Sequence, residues 1–179
     1  AELFPSGFED SAQGQIPRGW TVEPLSLRIE VNPKRELKKG AIAPYLDMKN
    51  MPTKGHCPDD IYPREFGSGT RFMNGDTLVA RISPSLENGK TAFVDFLSEG
   101  EIGWGSTEHI VLRPVAPLPY VFAYLLARSE DFRSFAVQSM TGSSGRQRVQ
   151  VDSICSYQLP FPDEGVATLF GRIVEPLFA

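Results

Sequence analysis

Asn74-Gly75-Asp76-Thr77-Leu78-Val79-Ala80-Arg81-Ile82, then Ser83-Pro84-Ser85-Leu86-Glu87-Asn88-Gly89-Lys90, then Thr91-Ala92-Phe93-Val94 is the stretch on which the fold turns. Two apolar runs flank a polar segment containing Pro and Gly, which is the pattern of two antiparallel strands and their turn. Reversing the chain takes only roughly two to five residues. The longer connection from Ser83 to Lys90, with a lysine at its end, therefore predicts a loop that touches something, a plain surface loop being the other reading.

Outward from this hairpin, further β-prone runs lie at Ala43 to Leu46, Arg71 to Phe72 and His109 to Arg113, separated by turn signals. Tyr120 to Ala127 and Glu130 to Met140 read as consecutive helices. In the second, Ser129 is placed to cap the start, Glu130 and Asp131 suit the positive end, and Phe132, Phe135, Ala136 and Met140 recur at helical spacing as core. Val149 to Ser156 reads as a connector, and Tyr157-Gln158-Leu159 as a strand closed by Pro160 and Pro162. From Asp163 a last helix carries an apolar stripe of Val166, Leu169, Phe170, Ile173, Val174 and Leu177. It reads as the first turns of a longer helix, with Pro176 as a kink. Near the start, Ser11 to Gly19 reads as a connector, with Trp20 and Leu25 in the core. The expected class is α+β: a strand-rich twisted sheet or partly closed barrel with a few packed helices, and the start of a spacer helix at the C-terminus.

Composition sets the outer bounds. With 179 residues, 41% hydrophobic and 22% charged, the chain can bury a core as one domain. No apolar run is long and unbroken enough to cross a bilayer, and Ala1-Glu2-Leu3-Phe4-Pro5 lacks a basic region leading into an apolar core, so a cytoplasmic location is expected. Cys57 and Cys155 are far apart and read as reduced thiols. His56 adjoins Cys57, but a closed structural metal site needs four ligands and His109 is the only other histidine, so no metal site is expected.

The stretch Met140-Thr141-Gly142-Ser143-Ser144-Gly145-Arg146-Gln147-Arg148-Val149 collects the side chains suited to gripping a duplex. Its glycines permit close backbone approach, its hydroxyls and amides suit phosphates, and arginine and glutamine match the edges of guanine and adenine. The plainer reading is a solvated turn after a helix. A net charge of −4 argues against indiscriminate coating of nucleic acid. Cations must then be clustered, as in Lys34, Arg35, Lys38 and Lys39 and again in Arg146 and Arg148, while acids gather at Asp59-Asp60, Glu99 and Glu101, and Asp163-Glu164.

Catalytic patterns are missing from the sequence. Neither an Asn/Asp-Pro-Pro-aromatic motif nor a Gly-rich cofactor loop occurs. Pro58-Asp59 is not followed by the Glu-x-Lys of a nuclease, and Gly142 to Arg146 lacks P-loop spacing. Ser106 and His109, three apart on a strand, would face opposite ways and could not form a nucleophile and base. No catalytic function and no cofactor are expected of the chain.

The order of segments resembles a family. Ile16-Pro17-Arg18-Gly19-Trp20 with Leu25, then Tyr45-Leu46-Asp47-Met48 with Met51, then Asn74 to Ile82 with Gly89-Lys90, then Ser106-Thr107-Glu108 running into Val111-Leu112-Arg113-Pro114, then Gly142 to Val149 and Leu159-Pro160-Phe161-Pro162, is similar to a target recognition domain of the DNA specificity subunit of type I restriction-modification enzymes. Phe4-Pro5-Ser6-Gly7-Phe8-Glu9-Asp10-Ser11 resembles the connector before the second such domain. The resemblance implies a connector over residues 1–16, a recognition domain over 17–162 and the start of a truncated spacer helix over 163–179. It implies a non-catalytic reader of double-stranded DNA, bound to one half of a bipartite site. Its partners would be the other half of the specificity subunit, methyltransferase (modification) subunits and a restriction subunit. S-adenosylmethionine, ATP and magnesium would belong to those partners.

On chemical grounds the DNA-contact candidates are Arg146, Gln147 and Arg148, with Ser143, Ser144 and Gly145 shaping the backbone. Lys90 and Arg81 follow, then Ser106 and Thr107, then Lys38, Lys39, Lys49 and Lys54. For Arg81 the alternative is a strand arginine paired with a carboxylate. A strand-rich module binding protein or carbohydrate through Trp104, Tyr62 and Tyr157 is a second functional reading. The recognition domain of a fused single-chain restriction and modification enzyme is a third.

Overall fold

The hairpin expected from Asn74 to Val94 forms in the computed structural model, which describes residues 7–178. In chain order the strands are β1 (Phe8–Ser11), β2 (Gly14–Pro17), β3 (Thr21–Pro24), β4 (Ile29–Val31), β5 (Ile42–Leu46), β6 (Tyr62–Glu65), β7 (Thr70–Phe72), β8 (Thr77–Ala80), β9 (Thr91–Phe93), β10 (Gly103–Gly105), β11 (His109–Pro114), β12 (Met140–Thr141), β13 (Arg148–Val149) and β14 (Gln158–Phe161). The helices are α1 (Val121–Arg128), α2 (Glu130–Gln138), α3 (Val151–Cys155) and α4 (Glu164–Val174), with short 3-10 turns at Leu25–Leu27, Met48–Asn50 and Glu175–Phe178. The class is α+β and strand-rich, and the described strands divide among several sheets without closing a barrel.

Two four-stranded sheets form the body, one ordered β4-β11-β8-β9 and the other β6-β5-β10-β7. β8 and β11 explain why the molecule is layered. In their antiparallel register Val79 faces Ile110 and Leu78 faces Val111, and successive side chains leave on opposite faces. Val79, Ile110 and Leu112 pack with Leu25, Ala123, Ala127, Phe132 and Ile154 beneath the helices. Leu78 and Val111 pack with Leu46, Met51, Phe72 and Ala92 between the sheets. These strands are thus buried on both faces, which is why they read as nearly unbroken apolar runs. Burying each such Leu, Ile or Val fully contributes about 1.5–3 kcal/mol.

Two of the helices start at a side-chain cap. Ser129 Oγ accepts from Phe132 N at 3.3 Å to cap α2, and Asp163 Oδ1 accepts from Val166 N at 3.0 Å to cap α4. Phe132 and Ala136 are fully buried as expected, whereas Phe135 and Met140 are half-buried at the edge of that core. β14 pairs with β3, from Leu159 opposite Glu23 to Phe161 opposite Thr21, so the strand before α4 is laced to the segment after the first hairpin.

Several sequence expectations change. The lead-in has no periodicity, yet residues 8–17 close as the β1–β2 hairpin around a turn at Ala12 and Gln13; residues 1–6 of the expected connector, and Ala179, lie outside the described residues. Residues 151–155 form α3 where a connector was expected, because Ile154 is drawn into the core beside Leu25 and Phe132. Leu25 is core, but Trp20 is half-buried and lines an apolar trough with Phe122, Val166 and Phe170. The stripe of α4 is divided. Ala167 and Gly171 form the buried face, the latter against Pro119, while Ile173 is 58% and Leu177 76% exposed. The α-helix ends at Val174, two residues before Pro176. No helix among the described residues is long and apolar enough to cross a membrane.

Candidate functional site

The C-terminal ends of β5, β8 and β10 and the starts of β9 and β11 meet along one rim. β5 and β10 run parallel, with Gly105 opposite Leu46, so both end there. The turn of residues 106–108 then carries the chain directly from β10 into β11, and Ala80 at the end of β8 lies opposite His109. Ser106 Oγ accepts from Glu108 N at 3.1 Å, and His109 N donates to Ser106 O. Ser106 and His109 therefore sit across a turn, where the sequence reading put them on one strand. The Ser106 hydroxyl is engaged by Glu108, not by the histidine ring.

The β12–β13 hairpin is sewn to this rim. Val149 N donates to Arg81 O, Ser83 N donates to Gln147 O, and Ile82 bridges to Arg148. Arg81 N donates to Glu108 O at 2.9 Å, which joins the end of β8 to the 106–108 turn. Between the two short strands, residues 142–146 project as an exposed loop, closed by Arg146 N donating to Ser143 O at 3.0 Å.

The side chains then divide by what they hold. Arg148 forks onto Glu108, with Nε 2.9 Å from Oε1 and Nη2 2.7 Å from the same oxygen, and Nη1 donates to Arg146 O at 3.0 Å. The hydrogen-bonded carboxylate raises the proton affinity of the Arg148 guanidinium. Arg81 Nε donates to Val149 O and its Nη2 to Gln150 Oε1, so the carboxylate pairing considered for this arginine is replaced by bonds to the hairpin. Gln150 in turn donates to Thr141 Oγ1 at 2.8 Å. Lys90 Nζ donates to Met48 O at 2.7 Å, tying the 3-10 turn that carries Lys49 to the same rim. Arg146 is exposed and has no ion pair among the described residues; Gln147 is half-exposed beside it.

Most of the sequence candidates are thus brought together: Arg81, Lys90, Ser106, Thr107, Ser143, Ser144, Gly145, Arg146, Gln147, Arg148 and Lys49 lie along the rim. Lys38 and Lys39 do not. They precede β5, at the opposite end of that strand, where Gly40 N donates to Phe66 O. Lys54 is exposed on the loop flanking β9, where Thr91 N donates to Pro52 O and Phe93 N to His56 O. Arg35 leaves the expected surface group, because its Nη2 is 2.8 Å from the buried Asp76 carboxylate. Glu108 and Gln150 were missed: an acid and an amide outside the loop carry no sign of cation binding, and only folding shows that Glu108 holds Arg148 and Gln150 accepts from Arg81.

His109 lies beneath this rim, 2% exposed, with neither ring nitrogen hydrogen-bonded among the described residues. Burial pushes its pKa down to about 4, against the opposing pull of Asp47 and Glu108. The ring is therefore neutral at pH 7. The aromatic groove considered for a carbohydrate or peptide does not form. Trp104 is buried against Tyr45 and Phe66, Tyr62 packs edge-on to Tyr45, and Tyr157 belongs to a different cluster with Phe132 and Phe135.

No protein-family model matches the chain. It is 31% identical over 160 residues to the type I restriction enzyme EcoEI specificity subunit of Escherichia coli, covering 86% of this chain and 27% of the relative. It is 29% identical over 165 residues to the EcoAI specificity subunit of the same organism, covering 89% and 28%. The chain thus spans about a quarter of the length of these curated relatives. The fold is similar to the HsdS subunit from Thermoanaerobacter tengcongensis, with a TM-score of 0.59 at 11% identity over 96% of this chain and 41% of that one. It is also similar to the type I restriction-modification S subunit from M. genitalium, with a TM-score of 0.55 at 13% identity over 89% of this chain and 39% of that one. A chain from a structural study of complex assembly and conformational transition in the type I R-M system matches with a TM-score of 0.57 at 13% identity, over 99% of this chain and 42% of that one.

Proposed function

Given that this chain is a homologue of part of the type I restriction enzyme specificity subunits, we propose that it is one target recognition domain and reads one half of a bipartite double-stranded DNA site. It does so as a non-catalytic component, directing modification and restriction subunits that carry the chemistry. Residues 17–162 are the reader, α4 begins the spacer toward the other half of the subunit, and the segment before Pro17 is the connector from a preceding domain. Such a reader works in the cytoplasm, where its DNA is.

The observation that carries this reading is the single rim on which the loop 142–147, Arg81, Lys90 and the 106–108 turn converge. Arg146 and Gln147 project from a loop whose base is fixed by the Arg148–Glu108 fork, so the reading groups are held in place before contact. A well-made bidentate contact to a base edge gives about 1–3 kcal/mol of discrimination. Lys90 and Lys49 beside it supply phosphate attraction, and the hydroxyls of Ser143, Ser144, Ser106 and Thr107 supply neutral donors. The rim accordingly concentrates positive charge on a molecule whose net charge is −4.

The test is genetic. Residues 17–162 replace one recognition domain in a complete specificity subunit, which is expressed with its modification subunit, and the modified bases are mapped by sequencing. A new split motif with one half changed is expected, and Arg146→Ala should relax or abolish that half alone. A soluble, assembled complex that methylates nothing would overturn the reading.

A further inference from the structure

We propose that His56, Cys57 and Asp95 form a binding site for a divalent cation of the zinc class, on the flank of the molecule where β9 ends, away from the rim. His56 and Cys57 come from the loop beside β9, and Asp95 follows that strand, so the three converge only in the folded chain. Their ligand atoms all lie within 4.8 Å of one another, and His56 Nε2 stands 3.3 Å from Asp95 Oδ2. Tetrahedral zinc with its usual bond lengths sets neighbouring ligand atoms roughly 3.3–3.6 Å apart. One edge of that tetrahedron is therefore already set, and the exposed Cys57 thiol lies within 4.8 Å of both other ligand atoms.

The donor set selects the ion. A nitrogen, a thiolate sulfur and a carboxylate oxygen suit a borderline-soft d-block cation, whereas magnesium and calcium prefer oxygen throughout. On binding, the Cys57 thiol gives its proton to solvent, and the thiolate with the Asp95 carboxylate balances a doubly charged ion. The fourth position falls to water, as at zinc sites with three protein ligands. Two ligands are already steadied. His56 O accepts from Phe93 N at 3.2 Å, its ring lies edge-on to Phe178 with centroids 5.2 Å apart and to Tyr124 at 6.3 Å, and Asp95 follows Val94, whose N donates to Asp76 O. The expectation of no metal site rested on counting histidines; the third ligand is a carboxylate that the fold supplies.

An ion here would tie the 52–58 loop to the end of β9 and, through the His56 ring on Phe178, to the last turn after α4. The test uses the full chain, stripped of metal and kept reduced with a phosphine, and titrated with cobalt(II) and then zinc. Saturation at one cobalt per chain is expected, with a near-ultraviolet thiolate-to-cobalt charge-transfer band that zinc erases. Cys57→Ser should abolish the band, His56→Ala and Asp95→Asn should each weaken binding at least about tenfold, and Cys155→Ser should leave it unchanged. All four side chains can be altered without opening the main cores, and equal melting temperatures of the metal-free variants will check that. Failure to saturate at millimolar cobalt, a band that survives Cys57→Ser, or one lost with Cys155→Ser would overturn the proposal. None of these outcomes bears on DNA reading.

Discussion

At Asp76 a carboxylate with no solvent exposure is held by Arg35 Nη2 at 2.8 Å, Arg113 Nη1 at 3.0 Å and the backbone N–H of Met73 at 2.8 Å. It joins the segment before β5 to the start of β8 and the end of β11, and leaving two guanidiniums without it should be expensive. Asp76→Ala is expected to destabilise the chain by about 3–5 kcal/mol, read from urea unfolding midpoints. His109 makes the converse case, a neutral base buried with no hydrogen-bond partner among the described residues. Its folded pKa of about 4 lies below its unfolded value near 6.5. Its contribution is therefore fully present above pH 6.5 and is lost as pH falls toward 4, because only the unfolded chain takes up the proton over that range. The expected loss is about 3 kcal/mol. In His109→Leu, unfolding between pH 7 and pH 4 should lack that component, whereas an unchanged pH slope would show that the ring titrates freely in the folded state.

At the scale of elements, the loop proposed to read DNA is held by a turn, not by its own strands. β12 and β13 are two residues each, too short to be stable alone, and Glu108 anchors them from outside. Glu108→Ala should speed amide exchange over residues 141–148 with little shift in the global unfolding midpoint, and slowed or unchanged exchange there would remove the anchor from the argument. Ser129→Ala should cost about 1 kcal/mol through loss of the α2 cap. The same contrast decides what could be read beforehand. β5, β8, β9 and β11 were legible as short apolar runs between turn signals, β8, β9 and β11 because both their faces are buried, and α1 and α2 because burial on one face imposes a helical period. β10 was not: it reads Gly-Trp-Gly, and a Cβ at Gly103 would stand 2.4 Å from the Phe72 ring while one at Gly105 would stand 2.7 Å from both Leu46 O and the His109 ring. The strand is central because its glycines allow that approach, and glycine leaves no periodic trace. α3 and the β1–β2 hairpin escaped for another reason, since each is only a few residues long and depends on what it packs or pairs with. At the rim, residue type pointed to the loop, whereas the placement of Lys38 and Lys39 at the far end of β5 depended on strand direction, which no local pattern carries.

For the whole molecule, the charge balance constrains how DNA can be bound. A chain with a net charge of −4 repels a polyanion at distance, so under the proposed reading attraction comes from the few cations on the rim, and affinity should fall with salt only as steeply as those few phosphate contacts allow while remaining weak on arbitrary sequence. Within the rim the cations are unequal. Arg148 is neutralised by Glu108, and Lys90 is drawn back onto the Met48 carbonyl, whereas Arg146 is exposed on the loop. If Arg146 meets a phosphate, Arg146→Ala in the assembled complex should weaken binding to cognate and non-cognate duplexes alike and reduce the slope of log affinity against log salt by about 0.9. If it meets a base edge, the slope should hold while discrimination at one position drops by about 1–3 kcal/mol. Binding titrations over a range of salt, on the mapped site and on single-base variants, separate these outcomes. A variant that binds every duplex as the parent does, at every salt concentration, would move the reading surface off this loop and onto the remaining rim.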